Sequence, residues 1–165
     1  MTRKIGKHTV TSNVDIIEVC EALDLPLVFC GGKDLIYEVP NKLRKNHFYI
    51  INLNNEEGTH WTCLSTFKGY EIYMDPFGVI CPPIVHQFVS DIGFKKLYIF
   101  DYQLQSVKGT YCGWLCIMWL HFLYQGIRSK KDLVKIINEF LELGFDLDKQ
   151  EKNYKVILKY ISNLF

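Results

Sequence analysis

Three features of the chain predict an α+β fold. Segments rich in aromatic and β-branched residues cluster between His47 and Tyr102, amphipathic segments flank them at both ends, and Cys112 to Tyr124 is apolar nearly all round. The first pattern is that of a buried sheet, the second of helices laid on a core, and the third of a helix running through the centre of a domain. The 165 residues suit a single domain, 1–165, and a 48% hydrophobic, 15% aromatic composition supplies a sizeable core without disulfides or metal.

The elements follow in order. Ser12 or Asn13 caps a first helix, with Asp15 in its first turn and apolar residues at Val14, Ile17 and Leu23. "LPLVFCGGKD" reads as a loop with a Gly-Gly turn, and "HFYIINL" (47–53) as a buried strand. "WTCLSTF" and "YEIYMD" flank "KG", the pattern of a hairpin with a short turn. "PFGVICPP" is a rigid loop, after which Pro83 starts a helix through Asp91. "KLYIFDY" is a further strand and "QLQSVKGT" a polar loop. The buried helix comes next, with Gly126 suited to its C-cap. "SKKDLVKIINEFLEL", with a Ser cap, and "DKQEKNYKVILKYISNLF" are amphipathic helices that close the chain.

Several function classes lose support at this level. The 19 basic and 18 acidic residues leave a net charge of +1, which gives no footprint for nucleic acid or an anionic membrane; a local cluster at Lys42, Arg44 and Lys45 reads as a solvated turn. No apolar run reaches the roughly 18 residues of a membrane span, and the polar start "MTRKIGKHTVTS" is not a signal peptide. The six cysteines (20, 30, 63, 81, 112 and 116) have no regular spacing and read as reduced thiols of a cytosol-like compartment. A zinc site from His60, Cys63, Cys112 and Cys116 is weighed against the lack of any C-x2-C pair.

Four residues form a candidate site: His60 in "GTHW", Asp75 in "YMDPFG", Gln105 in "LQS" and Cys112 in "TYCG". His60 opens one strand of the hairpin and Asp75 closes the other, so antiparallel pairing sets the imidazole beside the carboxylate that would orient it. Cys112 heads the buried helix, where the helix dipole favours a thiolate. Its own N–H and a side-chain amide from Gln105, seven residues earlier, are candidate oxyanion donors, and Gly113 leaves room for substrate. Each residue also has a plain structural reading. A cysteine at the head of an apolar helix is more often core than nucleophile, and Asp75 before Pro76 is by itself a turn residue.

The ordered set "GTHW", "YMDPFG" fifteen residues on and "LQSVKGTYCGWLC" resembles the adenain-like (adenovirus-protease) family of cysteine proteases, and most of all the proteases of Maverick/Polinton elements and virophages; the SUMO and ubiquitin-like proteases are more distant. "NVDIIE", "IINLNNEEGTHW" and "FDLDKQEKN" extend the likeness over nearly the whole chain. The resemblance implies a small central mixed sheet packed with helices, of papain-like, adenain type, with Cys112 as nucleophile, His60 as general base and acid, Asp75 orienting it and Gln105 as oxyanion donor. Trp61 matches the aromatic that packs near the dyad, and Gln103 competes with Gln105. Adenovirus enzymes carry Glu where Asp75 stands, a longer carboxylate in the same role.

What the resemblance implies about activity is a monomeric endopeptidase that cuts viral capsid or structural precursor proteins beside Gly or other small residues, in the virion and the host cytoplasm or virus factory. No metal or cofactor is implied. The family's activators, a viral peptide and DNA, are not carried over, because no cysteine here matches the one that anchors the peptide and the charge balance gives no DNA signal. The alternatives are an isopeptidase acting on ubiquitin-like modifiers, an acetyltransferase using a similar Cys–His pair, and a non-catalytic capsid-associated binding module.

Overall fold

A computed structural model describes residues 12–43, 47–53, 60–67, 69–94, 96–105 and 111–165. Five strands form one mixed sheet in chain order: β1 (Leu27–Gly32), β2 (Phe48–Asn52), β3 (Trp61–Phe67), β4 (Tyr70–Met74) and β5 (Leu97–Phe100). The two outer pairings, β1–β2 and β4–β5, are parallel and the two inner ones antiparallel. One row of partners crosses the whole sheet: Cys30, Ile50, Cys63, Met74 and Phe100. This is the α+β, mixed-sheet architecture that the sequence predicts.

The helices divide between two cores. α1 (Asn13–Ala22), α3 (Cys112–Arg128), α4 (Leu133–Leu141) and α5 (Gln150–Ser162) share the larger core with Phe48, Ile50, Cys63, Ile72 and Met74. α2 (Pro83–Asp91) covers the opposite face over Tyr49, Ile51, Leu64 and Tyr73. Side chains alternate between faces along a strand, so a strand buried on both sides must be apolar or satisfied throughout. β3 meets that condition: all seven residues are buried, with Thr62 and Ser65 donating their hydroxyls to the Ile51 and Ile72 carbonyls. α3 runs through the larger core and packs against β3, α1, α4 and α5.

Several expectations need correction. "LPLVFCGGKD" is not a loop but β1 followed by a 3-10 helix (Lys33–Glu38); its backbone is satisfied by parallel pairing with β2, and Gly31 lies beneath the Phe29 ring. α1 begins where expected, with Ser12 and Asp15 in a reciprocal capping box. Its buried residues, however, are Ile16, Val19 and Cys20, while Val14 and Ile17 are exposed. Gly126 is not a C-cap. It lies inside α3, where a Cβ would come 2.5 Å from Ile136 Cδ1, so its role is the close approach of α4. The cap of α4 is Asp132, which accepts from Lys135 N at 2.9 Å, rather than Ser129. Of the basic cluster, Lys42 sits in a 3-10 turn; Arg44 and Lys45 lie outside the described residues, as does Lys68 of the hairpin turn. Among the described residues no helix is long and apolar enough to cross a membrane.

Candidate active site

The hairpin sets the first part of the site. Phe67 opposes Tyr70 across the two-residue connection, and Cys63 opposes Met74. Beyond that pair β4 ends, and Asp75 opens a turn closed by Gly78 N donating to its carbonyl at 2.7 Å, beside His60, the residue just before β3. The contacts follow from it. His60 Nε2 lies 2.7 Å from Asp75 Oδ1, with both residues buried. The same carboxylate oxygen accepts from Phe77 N at 2.8 Å, and the Phe77 ring stacks on the imidazole at 4.0 Å between centroids and 3° between planes.

The second part comes from α3. Cys112 is its first residue and is 4% exposed; Tyr111, at the N-cap, supplies no side-chain cap. Packing of α3 against β3 brings the thiol to the start of that strand, where Trp61 N donates to Cys112 Sγ at 3.4 Å. The sulfur therefore sits one peptide unit from His60. With Nε2 engaged by Asp75, Nδ1 is the nitrogen left for the thiol. It is buried without a fully formed hydrogen bond among the described residues. Burial by itself would lower the imidazole's proton affinity. Hydrogen bonding to Asp75 and Cys112, and the charges of both, outweigh burial and push His60 up to about 9 from 6.5. Both neighbours therefore favour the protonated ring. Burial holds Cys20, Cys30 and Cys81 at about 12 and raises Cys116 well above the ordinary thiol, so these are neutral thiols, with Cys30 at the edge of the core and the others inside it.

The third part hangs from the turn after Asp75. Pro76 O accepts from both Leu104 N, at 2.9 Å, and Gln105 N, at 3.0 Å, so the turn that supplies the carboxylate also holds the segment carrying the candidate amide. Gly78, at φ +71°, closes this clasp: a Cβ there would meet Gln103 N at 3.0 Å. The Gln105 side chain is fully buried, and neither its Nε2 nor its Oε1 has a partner among the described residues. Gln103 is exposed and spends its amide on the Gln105 carbonyl at 3.1 Å. Residues 106–110 of the intervening loop lie outside the described residues, but α5 ties down both flanks. Asn153 Nδ2 donates to the Leu104 carbonyl at 3.5 Å, and the Tyr111 hydroxyl bonds Gln150.

The structure thus brings His60, Asp75 and Cys112 together through Trp61, which is itself buried, and places Gln105 on the Asp75 turn; Gly113 is buried in the first turn of α3. Sequence reading missed Phe77, Pro76 and Asn153. The signal that could have found Phe77 is its place two residues after Asp75, in the turn that supplies the carboxylate. No local pattern points to Asn153, whose partners lie 7 and 49 residues away. Among the described residues, no group of three or more His, Cys, Asp or Glu side chains could hold a metal ion.

No protein-family description matches this sequence, and no curated protein matches it. Solved structures do match. The crystal structure of the ASFV pS273R protease superposes with a TM-score of 0.58, covering 92% of this chain and 68% of that one at 11% identity. The chain has the fold of a viral cysteine protease. The selenomethionine form of the same protease gives the same values. At this identity the match speaks to architecture, and the chemistry rests on the side chains described above.

Proposed function

We propose that this protein is a cysteine endopeptidase in which Cys112 is the nucleophile. The observation that carries this reading is one constellation: a buried imidazole held by a carboxylate at 2.7 Å, with the peptide N–H that follows it donating to a thiol at a helix N-terminus. The thiolate of Cys112 attacks the substrate carbonyl carbon, and the C–N bond breaks as the His60 imidazolium gives its proton to the leaving amine. Neutral His60 then takes a proton from water, which attacks the thioester; the C–S bond breaks and the thiolate–imidazolium pair returns. Asp75 accepts from Nε2 and keeps the proton on that nitrogen. The negative oxygen formed in each half-reaction is met by the Cys112 N–H and the Gln105 amide, the latter supported by its burial without a partner among the described residues.

The substrates we infer are viral structural precursors cut beside Gly, within the virion or infected-cell cytoplasm, by a monomer without cofactor. This part rests on the resemblance of "GTHW", "YMDPFG" and "LQSVKGTYCGWLC" to adenain-like proteases. The test is a cleavage assay on a capsid precursor with Gly-containing junctions, run beside ubiquitin-like conjugates and acetyl-CoA. Cleavage of the precursor that is lost in Cys112→Ala and His60→Ala is the expected result. Full cleavage by Cys112→Ala, or acetyl transfer from acetyl-CoA with no peptide cut, would overturn it.

A further inference from the structure

One ring in the site has no part in the chemistry above. Phe77 lies flat on His60, 4.0 Å away and within 3° of parallel, and its N–H shares Asp75 Oδ1 with the imidazole. Its place is set by the turn after β4, which closes through Gly78 N donating to the Asp75 carbonyl at 2.7 Å and brings the Phe77 ring over His60. The side chain is half-buried, so it covers one face of the imidazole and meets solvent with the rest.

A single hydrogen bond at Nε2 leaves a histidine free to swing about that bond, and the swing would carry Nδ1 away from the thiol. A flat ring packed on the imidazole face removes this freedom. An aromatic face is also the negative part of its quadrupole, so it attracts an imidazolium more than a neutral imidazole. We propose that Phe77 is a positioning residue for His60, fixing the plane that aims Nδ1 at Cys112 and favouring the charged ring through its face. This rests on the Cys112–His60 reading. The titratable groups acting on His60 are Asp75, from the turn after β4, and Cys112, from the head of α3; Phe77 adds a neutral third side.

The experiment is iodoacetamide labelling of Cys112 in the full chain from pH 5 to 9, read by peptide mass spectrometry, in wild type, His60→Ala, Phe77→Leu and Phe77→Tyr. Leucine keeps apolar bulk and the backbone N–H but has no aromatic face; tyrosine keeps the face. The expected result is a wild-type rate that persists at pH 6, about tenfold slower labelling at pH 6 in Phe77→Leu with an unchanged rate at pH 9, and recovery in Phe77→Tyr. A role confined to packing would alter labelling of every cysteine, or of Cys112 equally at both pH values, and either result overturns the proposal. So does a Phe77→Leu profile that coincides with wild type while His60→Ala loses its acid-side rate; the thiol–imidazole pair then stands without Phe77. If His60→Ala itself matches wild type, the pair is wrong, and the proposal falls with it.

Discussion

Replacing Asp75 by Asn tests the electrostatics of the site most directly. The side chain keeps its size and an oxygen able to face Nε2 at 2.7 Å, but loses its charge. In the wild type, His60 stands at about 9 against 6.5 unfolded. At about 1.36 kcal/mol for each tenfold change in proton affinity, that rise is worth about 3 kcal/mol, and nearer 2 once the solvent-touching edge of the ring is allowed for. Because the folded value is the higher one, this stability is fully present below pH 6.5 and is lost as pH rises through about 9. In Asp75→Asn the dominant favourable partner is gone while burial remains, so His60 falls back toward or below its ordinary value. Urea unfolding at pH 6 and pH 10, with His60 titrated by NMR in a Cys112→Ala background, reads both effects. Asp75→Asn should destabilise by about 2 kcal/mol at pH 6 and by much less at pH 10, and should slow peptide cleavage at pH 7 by about two orders of magnitude or more. A His60 titration left where it was, or an equal loss of stability at both pH values, would refute the assignment of Asp75 as the group that holds the imidazole.

Two further substitutions probe other links. Gly78→Ala forces a side chain into the left-handed region and within 3.0 Å of the Gln103 backbone. It should cost about 1–2 kcal/mol by thermal melting and reduce kcat more than KM, because the clasp it opens holds Gln105. Glu71 is buried on β4 with Thr66 donating to it at 2.5 Å, and burial pushes its carboxyl up to about 7. The folded protein therefore binds a proton there that the unfolded chain releases, so stability falls as pH rises from about 4.5 to 7. Glu71→Gln removes that slope, and the variant should gain on wild type between pH 5 and pH 8 in urea unfolding, with cleavage unchanged.

The elements that carry the candidate site were legible to different depths for physical reasons. Strands β2 to β5 and helix α2 announce themselves because their apolar content and bounding Gly or Pro are local, and their observed limits agree closely with that pattern. β1 does not, because Cys30-Gly31-Gly32 has no strand preference of its own; it becomes a strand only when the distant β2 offers its edge in parallel. The face of α1 was misread for a related reason: which of Val14, Ile16, Ile17 and Val19 turns inward depends on where β1 and α3 lie. Gly126 resembles a cap in sequence and is a contact point in space, since the residue that needs its missing Cβ, Ile136, belongs to the next helix.

Within the site the same division holds. The pairing of β3 with β4 brings His60, just before one strand, near Asp75, just after the other, and the order of residues in the hairpin already implies that; the stacking of Phe77 on His60 depends on the turn that follows β4. The approach of Cys112 is not implied by any such local order. It requires α3, a helix that begins well beyond the hairpin, to pack on β3 so that its first residue meets the Trp61 N–H, and that depends on a core shared with α1, α4 and α5. The burial of Gln105 likewise depends on Pro76 from one element and Asn153 from another. Short-range pairing is dictated by backbone geometry that neighbouring residues carry themselves; long-range convergence is decided by how whole faces fill one interior, and only the folded chain contains that information.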